Sequence, residues 1–203
     1  HLIYLELPSV VSETISPSTH KLGELFDFTS TANFSTKEFL KEHDYAHIRG
    51  ENNIIRYLPL KSVLLRFEEE DTLYEMLVSI AAAKMSGAKL YISIPQVPKN
   101  EGLLWLRANT DLLLDTEDSF MTEDHTALLT TMAQVERIRF LKPGNVSDTI
   151  YQHTADRALY IASEPFIGHG RIELMHYFIE QSISNSYHRY GNLGRQGLRK
   201  KEK

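Results

Sequence analysis

From Ser62 to Phe67 the chain reads SVLLRF, a compact apolar run of the kind that forms a buried strand, and the acidic cluster Glu68 to Asp71 ends it. Thr72 then opens TLYEMLVSIAAAKMSG, in which Leu73, Met76, Leu77, Ile80 and Lys84 recur at helical intervals. Thr72 and Glu75 have the spacing of a capping box, and Gly87 supplies the residue type with which helices commonly stop. KLYISIP follows, alternating Leu90, Ile92 and Ile94 with Tyr91 and Ser93 until Pro95 halts the ladder. Two strands separated by a helix of this size are most simply parallel and joined by a right-handed crossover.

The pattern continues with a helix from about Asn100 to Asn109, a short strand at Asp111 to Leu114, a helix from Glu123 to Gln134, and strands at Arg137 to Leu141 and Ala158 to Ser163. Such repeated alternation predicts an α/β fold, a Rossmann-like, doubly wound and mostly parallel sheet. Three segments are expected. Residues 1–53, rich in Ser, Thr and His, read as an arm or flap with one helix at Thr36 to His43, where Ser35 caps and Glu38 completes a capping box. Residues 54–184 form the α/β domain, starting near a strand at Ile54 to Leu58. Within RIELMHYFIEQ a helix places Ile172, Met175, Phe178 and Ile179 on one face, and an extended piece follows. Residues 185–203 carry a C-terminal motif and a disordered basic tail.

Composition narrows the function classes. With 203 residues, 42% hydrophobic and 24% charged, the chain has the makeup of a soluble globular domain. A net charge of −5 gives no basic field, so nucleic acid is not an expected partner. There is no cysteine, which removes disulfides, thiolate metal sites and a cysteine nucleophile, and fits a reducing compartment. His1 to Leu7 is too short and carries Glu6, so neither a membrane span nor a secretory signal is expected there. The lack of an initiating Met suggests a piece of something longer.

The candidate chemistry is incomplete everywhere. A nucleotide-binding turn wants glycines between the first strand and its helix, so that backbone amides approach a pyrophosphate. Here that junction is FEEEDTLYE, four consecutive carboxylates without a glycine, which reads as a solvated acidic turn and helix cap. GHGR, Gly168 to Arg171, is the other glycine pair near a helix start and reads as an ordinary turn. His43 and His47 stand four apart beside Glu42 and Asp44, but no third ligand is identifiable, so they read as surface histidines and no metal is expected. His125 beside Glu123 and Asp124 reads as a first-turn residue. No G-x-S-x-G occurs, and Ser163-Glu164-Pro165 reads as a strand exit.

ENNIIRYLPLKSVLLRF (Glu51 to Phe67), EMLVSIAAAKMSGAKLYISIP (Glu75 to Pro95) and GRIELMHYFIEQSISNSYHRYGNLG (Gly170 to Gly194) together resemble the C-terminal region of long proline utilization A proteins. The stretch around Gly87 also resembles the cofactor-side unit of aldehyde dehydrogenases. Proline utilization A enzymes join a flavin-dependent proline dehydrogenase to an NAD-dependent glutamate semialdehyde dehydrogenase. The resemblance implies a noncatalytic, aldehyde dehydrogenase-like Rossmann domain that covers the cavity between the two active sites. It implies no cofactor in this chain, with NAD and FAD held by the rest of a cytoplasmic enzyme, and the catalytic domains of the same polypeptide as partners. An active aldehyde dehydrogenase ends the strand after its glycine turn in a Lys-Pro pair that holds the adenosine ribose. Here the matching place reads Ser93-Ile94-Pro95, without the lysine.

The most specific part of the resemblance is YHRYGNLG, Tyr187 to Gly194. By composition it reads as a C-terminal strand whose rings finish a core. With the resemblance it reads as an interdomain contact made by Tyr187, His188, Arg189, Tyr190, Gly191 and Asn192. Tyr187, His188 and Tyr190 offer rigid amphipathic area, Arg189 can fork to a carboxylate, and Gly191 lets backbones approach closely. Two alternatives stay open. One is a nucleotide or small-ligand module with a degenerate pocket at the carboxyl ends of its strands. The other is an oligomerisation module in which the arm and the strand near Ile54 to Leu58 pair with another chain.

Overall fold

The computed structural model describes residues 37–187. Its centre is a five-stranded parallel sheet built from β2 (Ser62–Arg66), β3 (Lys89–Pro95), β4 (Ser119–Glu123), β5 (Arg137–Phe140) and β6 (Tyr160–Ala162). The spatial order is β4-β3-β2-β5-β6, so the chain runs outward from β2 in one direction and then returns to continue in the other. This is the doubly wound arrangement the alternation predicts.

Strand alternation assigns the two faces. Val63 and Leu65 point to one side with Leu90, Ile92 and Ile94, where α1 (Leu73–Ser86), α2 (Glu101–Ala108) and α6 (Gly170–Met175) cover them. Leu64, Ile138 and Phe140 point to the other, beneath α4 (His125–Thr131) and α5 (Asp148–Ala155). Both faces are buried, which is why β2 reads as a continuous apolar run rather than an alternating one. Thr72 caps α1 as expected: its hydroxyl accepts from the Glu75 amide at 3.3 Å while the Glu75 carboxylate accepts from the Thr72 amide at 2.8 Å. Gly87 ends the helix in the left-handed region, at φ 81°.

Outside this sheet, β1 (Glu51–Pro59) and β7 (Phe178–Ser186) form an antiparallel ribbon of nine residue pairs, from Glu51↔Ser186 to Pro59↔Phe178. The ribbon runs through both positions, 53/54 and 184/185, at which the sequence divides by composition. Its base is fixed by Tyr57 stacked on Phe39, with ring centroids 4.5 Å apart, and by Phe178 against the same ring at 5.4 Å.

Several elements differ from expectation. The segment expected as a strand at Asp111 to Leu114 is a short helix, α3 (Thr110–Leu113), and the strand is β4, further on. Three consecutive leucines fix no period, and β4 is an edge strand that needs only a weak apolar pattern. Glu123 therefore closes a strand instead of opening a helix; Asp124 caps α4, and Met132–Gln134 tighten into a 3-10 turn. Helix α5 was not anticipated, because Ile150 is its only deeply buried hydrophobic side chain. At the C-terminal side the helix stops at Met175, so Phe178 and Ile179 open β7 rather than sharing a helical face with Ile172 and Met175. Nine cross-strand pairs with β1 outweigh the helical spacing. Near the start of the described residues, 37–39 are helical and 40 is a turn, and Glu38 accepts from Lys41 Nζ at 2.6 Å; Ser35, and with it the expected capping box, lies outside the described residues.

Candidate functional site

Open α/β sheets bind ligands beyond the carboxyl ends of their strands, where the winding reverses. In this chain that point lies between β2 and β5. The loop leaving β2 is the acidic turn, and only Glu70 of its four carboxylates is exposed. The expectation of a solvated turn is thus corrected. Asp71 is 1% exposed, and its Oδ2 accepts from the Glu68 amide at 2.8 Å. Glu69 reaches the loop after β3 and accepts from the amides of Lys99 at 2.9 Å and Asn100 at 2.8 Å. Asn100 answers by donating Nδ2 to the carbonyls of Glu69 and Asp71, while its Oδ1 caps α2. The backbone amides of Glu68, Lys99, Asn100 and Thr72 are therefore held by the chain's own carboxylates.

Lys142, just past β5, closes the same crevice. Its ammonium donates to the Glu70 carbonyl and lies 3.4 Å from Asp71 and 4.0 Å from Glu75. Burial raises the Asp71 pKa, opposed by the Glu68 amide and by Lys142. One step deeper, Arg66 ends β2 at 2% exposure. It donates to Glu68 Oε1 at 2.7 Å, to Ser93 Oγ at 2.8 Å and to the Glu123 carbonyl at 3.4 Å, tying the ends of β2, β3 and β4 together. Ser93, in the Ser-Ile-Pro stretch, is thus a buried acceptor for an internal arginine.

A second buried cluster sets the C-terminal element. Arg139 of β5 donates to both Glu173 oxygens at 3.1 Å, and Tyr177 donates its hydroxyl to Glu173 Oε1 at 2.9 Å. All three side chains are at most 1% exposed. Burial drives the Tyr177 pKa well above its ordinary value, and the adjacent Glu173 charge adds to this. From this anchor the chain passes through β7 to Tyr187, whose amide donates to the Gly50 carbonyl at 3.0 Å and whose hydroxyl accepts from the Gly50 amide at 3.1 Å. Tyr187 thereby latches the far end of the ribbon. His188, Arg189, Tyr190, Gly191 and Asn192 lie outside the described residues.

The remaining candidates are placed as follows. His43 bridges to Ile55 and His47 adopts φ 47°, so the two do not share a helical face. His125 opens α4 behind its cap, Asp124, as expected. Arg171 lies over the Phe39 ring, 5.5 Å from its centroid. No helix among the described residues is long and apolar enough to cross a membrane.

The fold has solved counterparts. A mutant of proline utilization A from Bradyrhizobium japonicum superposes with a TM-score of 0.52 at 15% identity, over 71% of this chain and 16% of that one. Betaine aldehyde dehydrogenase from Staphylococcus aureus, in complex with NAD+, gives 0.50 at 14% identity, over 71% of this chain and 30% of the other. The fold is aldehyde dehydrogenase-like. Proline utilization A from Corynebacterium freiburgense aligns over 88% of this chain at 21% identity, with a TM-score of 0.45 and 15% of its own length covered. The chain thus spans less than a third of each of these proteins. No family model and no curated protein sequence matches it.

Sequence reasoning missed the groups that fill the crevice, Arg66 and Lys142, and the buried pair Arg139 and Glu173 of the second cluster. Their signal was a charge inside an apolar strand, in SVLLRF and again in RIRF. A cation there needs an internal partner.

Proposed function

We propose that this chain is the noncatalytic C-terminal domain of a bifunctional enzyme that oxidises proline to glutamate. It closes the cavity through which the intermediate passes and supports the neighbouring dehydrogenase domain. The carrying observation is that carboxylates of the chain itself occupy the amide donors at the strand ends, in a fold otherwise like that of aldehyde dehydrogenases. A scaffold whose ligand end is filled from within works through its surfaces. On this reading the chain holds no cofactor, NAD and FAD belong to the catalytic domains of the same cytoplasmic polypeptide, and Tyr187, His188, Arg189, Tyr190, Gly191 and Asn192 press against those domains. The latch of Tyr187 on Gly50 supports this by fixing the residue that begins the motif at the end of the ribbon.

Two measurements test it. Calorimetric titration of the 203-residue chain with NAD should give no binding tighter than about millimolar. In the longer protein, deleting Ser186 to Lys203 should lower coupled proline-to-glutamate turnover more than proline oxidation alone; equal losses, or none, refute the contact role. A second reading, an oligomerisation module, is favoured by one observation: the outer ribbon face carries Ile54, Leu58, Ile179 and Ile183 in opposed pairs, with Leu58 at 38% and Ile179 at 46% exposure. Sedimentation of the chain with and without residues before Asn52 discriminates it.

A further inference from the structure

At the end of the sheet opposite the filled crevice, where β5 and β6 begin, a cavity of about 280 Å³ opens between the sheet and the ribbon. Its volume suits a small metabolite rather than a dinucleotide. Its positive pole is Arg137, whose Nη1 donates to the carbonyls of His176 at 2.7 Å, Phe178 at 2.9 Å and Met175 at 3.5 Å. Neutral carbonyls leave the charge itself uncompensated. Among the described residues no carboxylate comes within ion-pairing distance of this guanidinium, and its Nε has no hydrogen-bond partner. The ring of Tyr160 lies against it, 5.0 Å from Cζ. Burial lowers the Arg137 pKa, opposed by the more distant charges of Glu164 and Glu136.

Two carboxylates form the opposite pole. Glu164 accepts from the Tyr160 hydroxyl at 3.0 Å and is 3.8 Å from His176 Nδ1, an imidazole that burial and Arg139 keep below its ordinary pKa. Glu180 faces its register partner Tyr57, whose hydroxyl pKa burial and the Glu180 carboxylate raise. Met175 and Phe178 supply apolar wall between the poles.

A simple anion entering this space is attracted by Arg137 and repelled by two carboxylates. A simple cation meets the reverse. A small molecule carrying both charges satisfies the two poles together. We propose that this cavity binds a small α-amino acid in its zwitterionic form, with the carboxylate toward the Arg137 guanidinium and the ammonium toward Glu164 and Glu180. The site lies on the far side of the sheet from the crevice, so its occupancy does not depend on the function proposed above.

The test is a titration of the ¹⁵N-labelled 203-residue chain with L-alanine, acetate and methylammonium, followed by NMR. L-Alanine should perturb the Arg137 Nε–H resonance and saturate at millimolar concentration, binding about tenfold more tightly than either single-charge probe. Because Arg137 also holds the turn between α6 and β7, the informative variant is Glu180→Gln, which keeps the shape of the side chain facing Tyr57. It should weaken L-alanine about fivefold or more while tightening acetate, which loses one of the two charges that repel it. Equal affinity for L-alanine and acetate, an unchanged affinity in Glu180→Gln, or no perturbation up to about 50 mM would each overturn the proposal.

Discussion

The Arg139–Glu173 pair is a direct test of how the C-terminal element is held. Replacing Glu173 with Ala removes both carboxylate contacts of Arg139, at 3.1 Å each, together with the acceptor of the Tyr177 hydroxyl. The guanidinium side chain, 0% exposed, keeps only backbone carbonyls of Phe140, Ala162 and Glu164. Stranding a buried charge in this way costs about 3–5 kcal/mol. That is a large share of the roughly 5–15 kcal/mol that holds an ordinary domain together. With a urea slope of about 2 kcal/mol/M, the unfolding midpoint falls by about 1.5–2.5 M.

Trp105, the single tryptophan, packs against the main core and reports the transition by fluorescence. The decisive comparison is the double variant Arg139→Met, Glu173→Met, in which no charge is left stranded. It should be more stable than either single variant, with the Tyr177 and Ser79 hydroxyls, which both lose Glu173 as acceptor, accounting for about 1–3 kcal/mol of residual loss. A double variant whose loss equals the sum of the two singles would show that the ions do not act on each other, and the anchor would have to be sought in packing alone.

Three further predictions follow from the same contacts. Glu69→Ala frees the amides of Lys99 and Asn100 and should cost about 1–3 kcal/mol in urea unfolding, whereas exposed Glu70→Gln should change stability by less than about 0.5 kcal/mol. Gly87→Ala meets no atom within 4 Å, so only its φ of 81° is penalised and a loss of about 1–2 kcal/mol is expected in the same assay. His176 is held below its ordinary pKa by burial, so the unfolded chain takes up its proton first; stability contributed above the unfolded value of about 6.5 is lost as pH falls below it, and His176→Gln should flatten that slope in melting scans between about pH 7 and 5.

The core of the fold was legible because β2, α1 and β3 each carry two independent signals. α1 has both a helical repeat and a capping box, and β3 has both alternation and a proline stop. Where only one signal exists, as in the leucines at 112–114, length and context decided against it. The C-terminal strand shows why spacing alone misleads. Ile172, Met175, Phe178 and Ile179 fit a helix, yet the nine pairs with β1 are contacts more than a hundred residues away that no local pattern contains. The filled crevice was half legible: four carboxylates without a glycine argued against a diphosphate, but their inward direction depends on the loop after β3 and on Lys142.

A parallel sheet of this winding leaves backbone amides at the carboxyl ends of its strands that want negative partners. When a ligand supplies them, the unliganded protein carries exposed or unsatisfied donors and gains stability on binding. Here Asp71 and Glu69 supply them in cis, and Arg66 bridges the strand ends beneath. On the function proposed above, occupancy of the crevice should add nothing to the fold's stability, and NAD added to the chain should leave its melting temperature unchanged. Glu69→Ala removes the internal occupant without adding a glycine for close approach, so it should lower stability without creating NAD affinity. A thermal upshift with NAD in the unaltered chain would mean that the carboxylates yield to a diphosphate, and the crevice would then have to be counted as a working site.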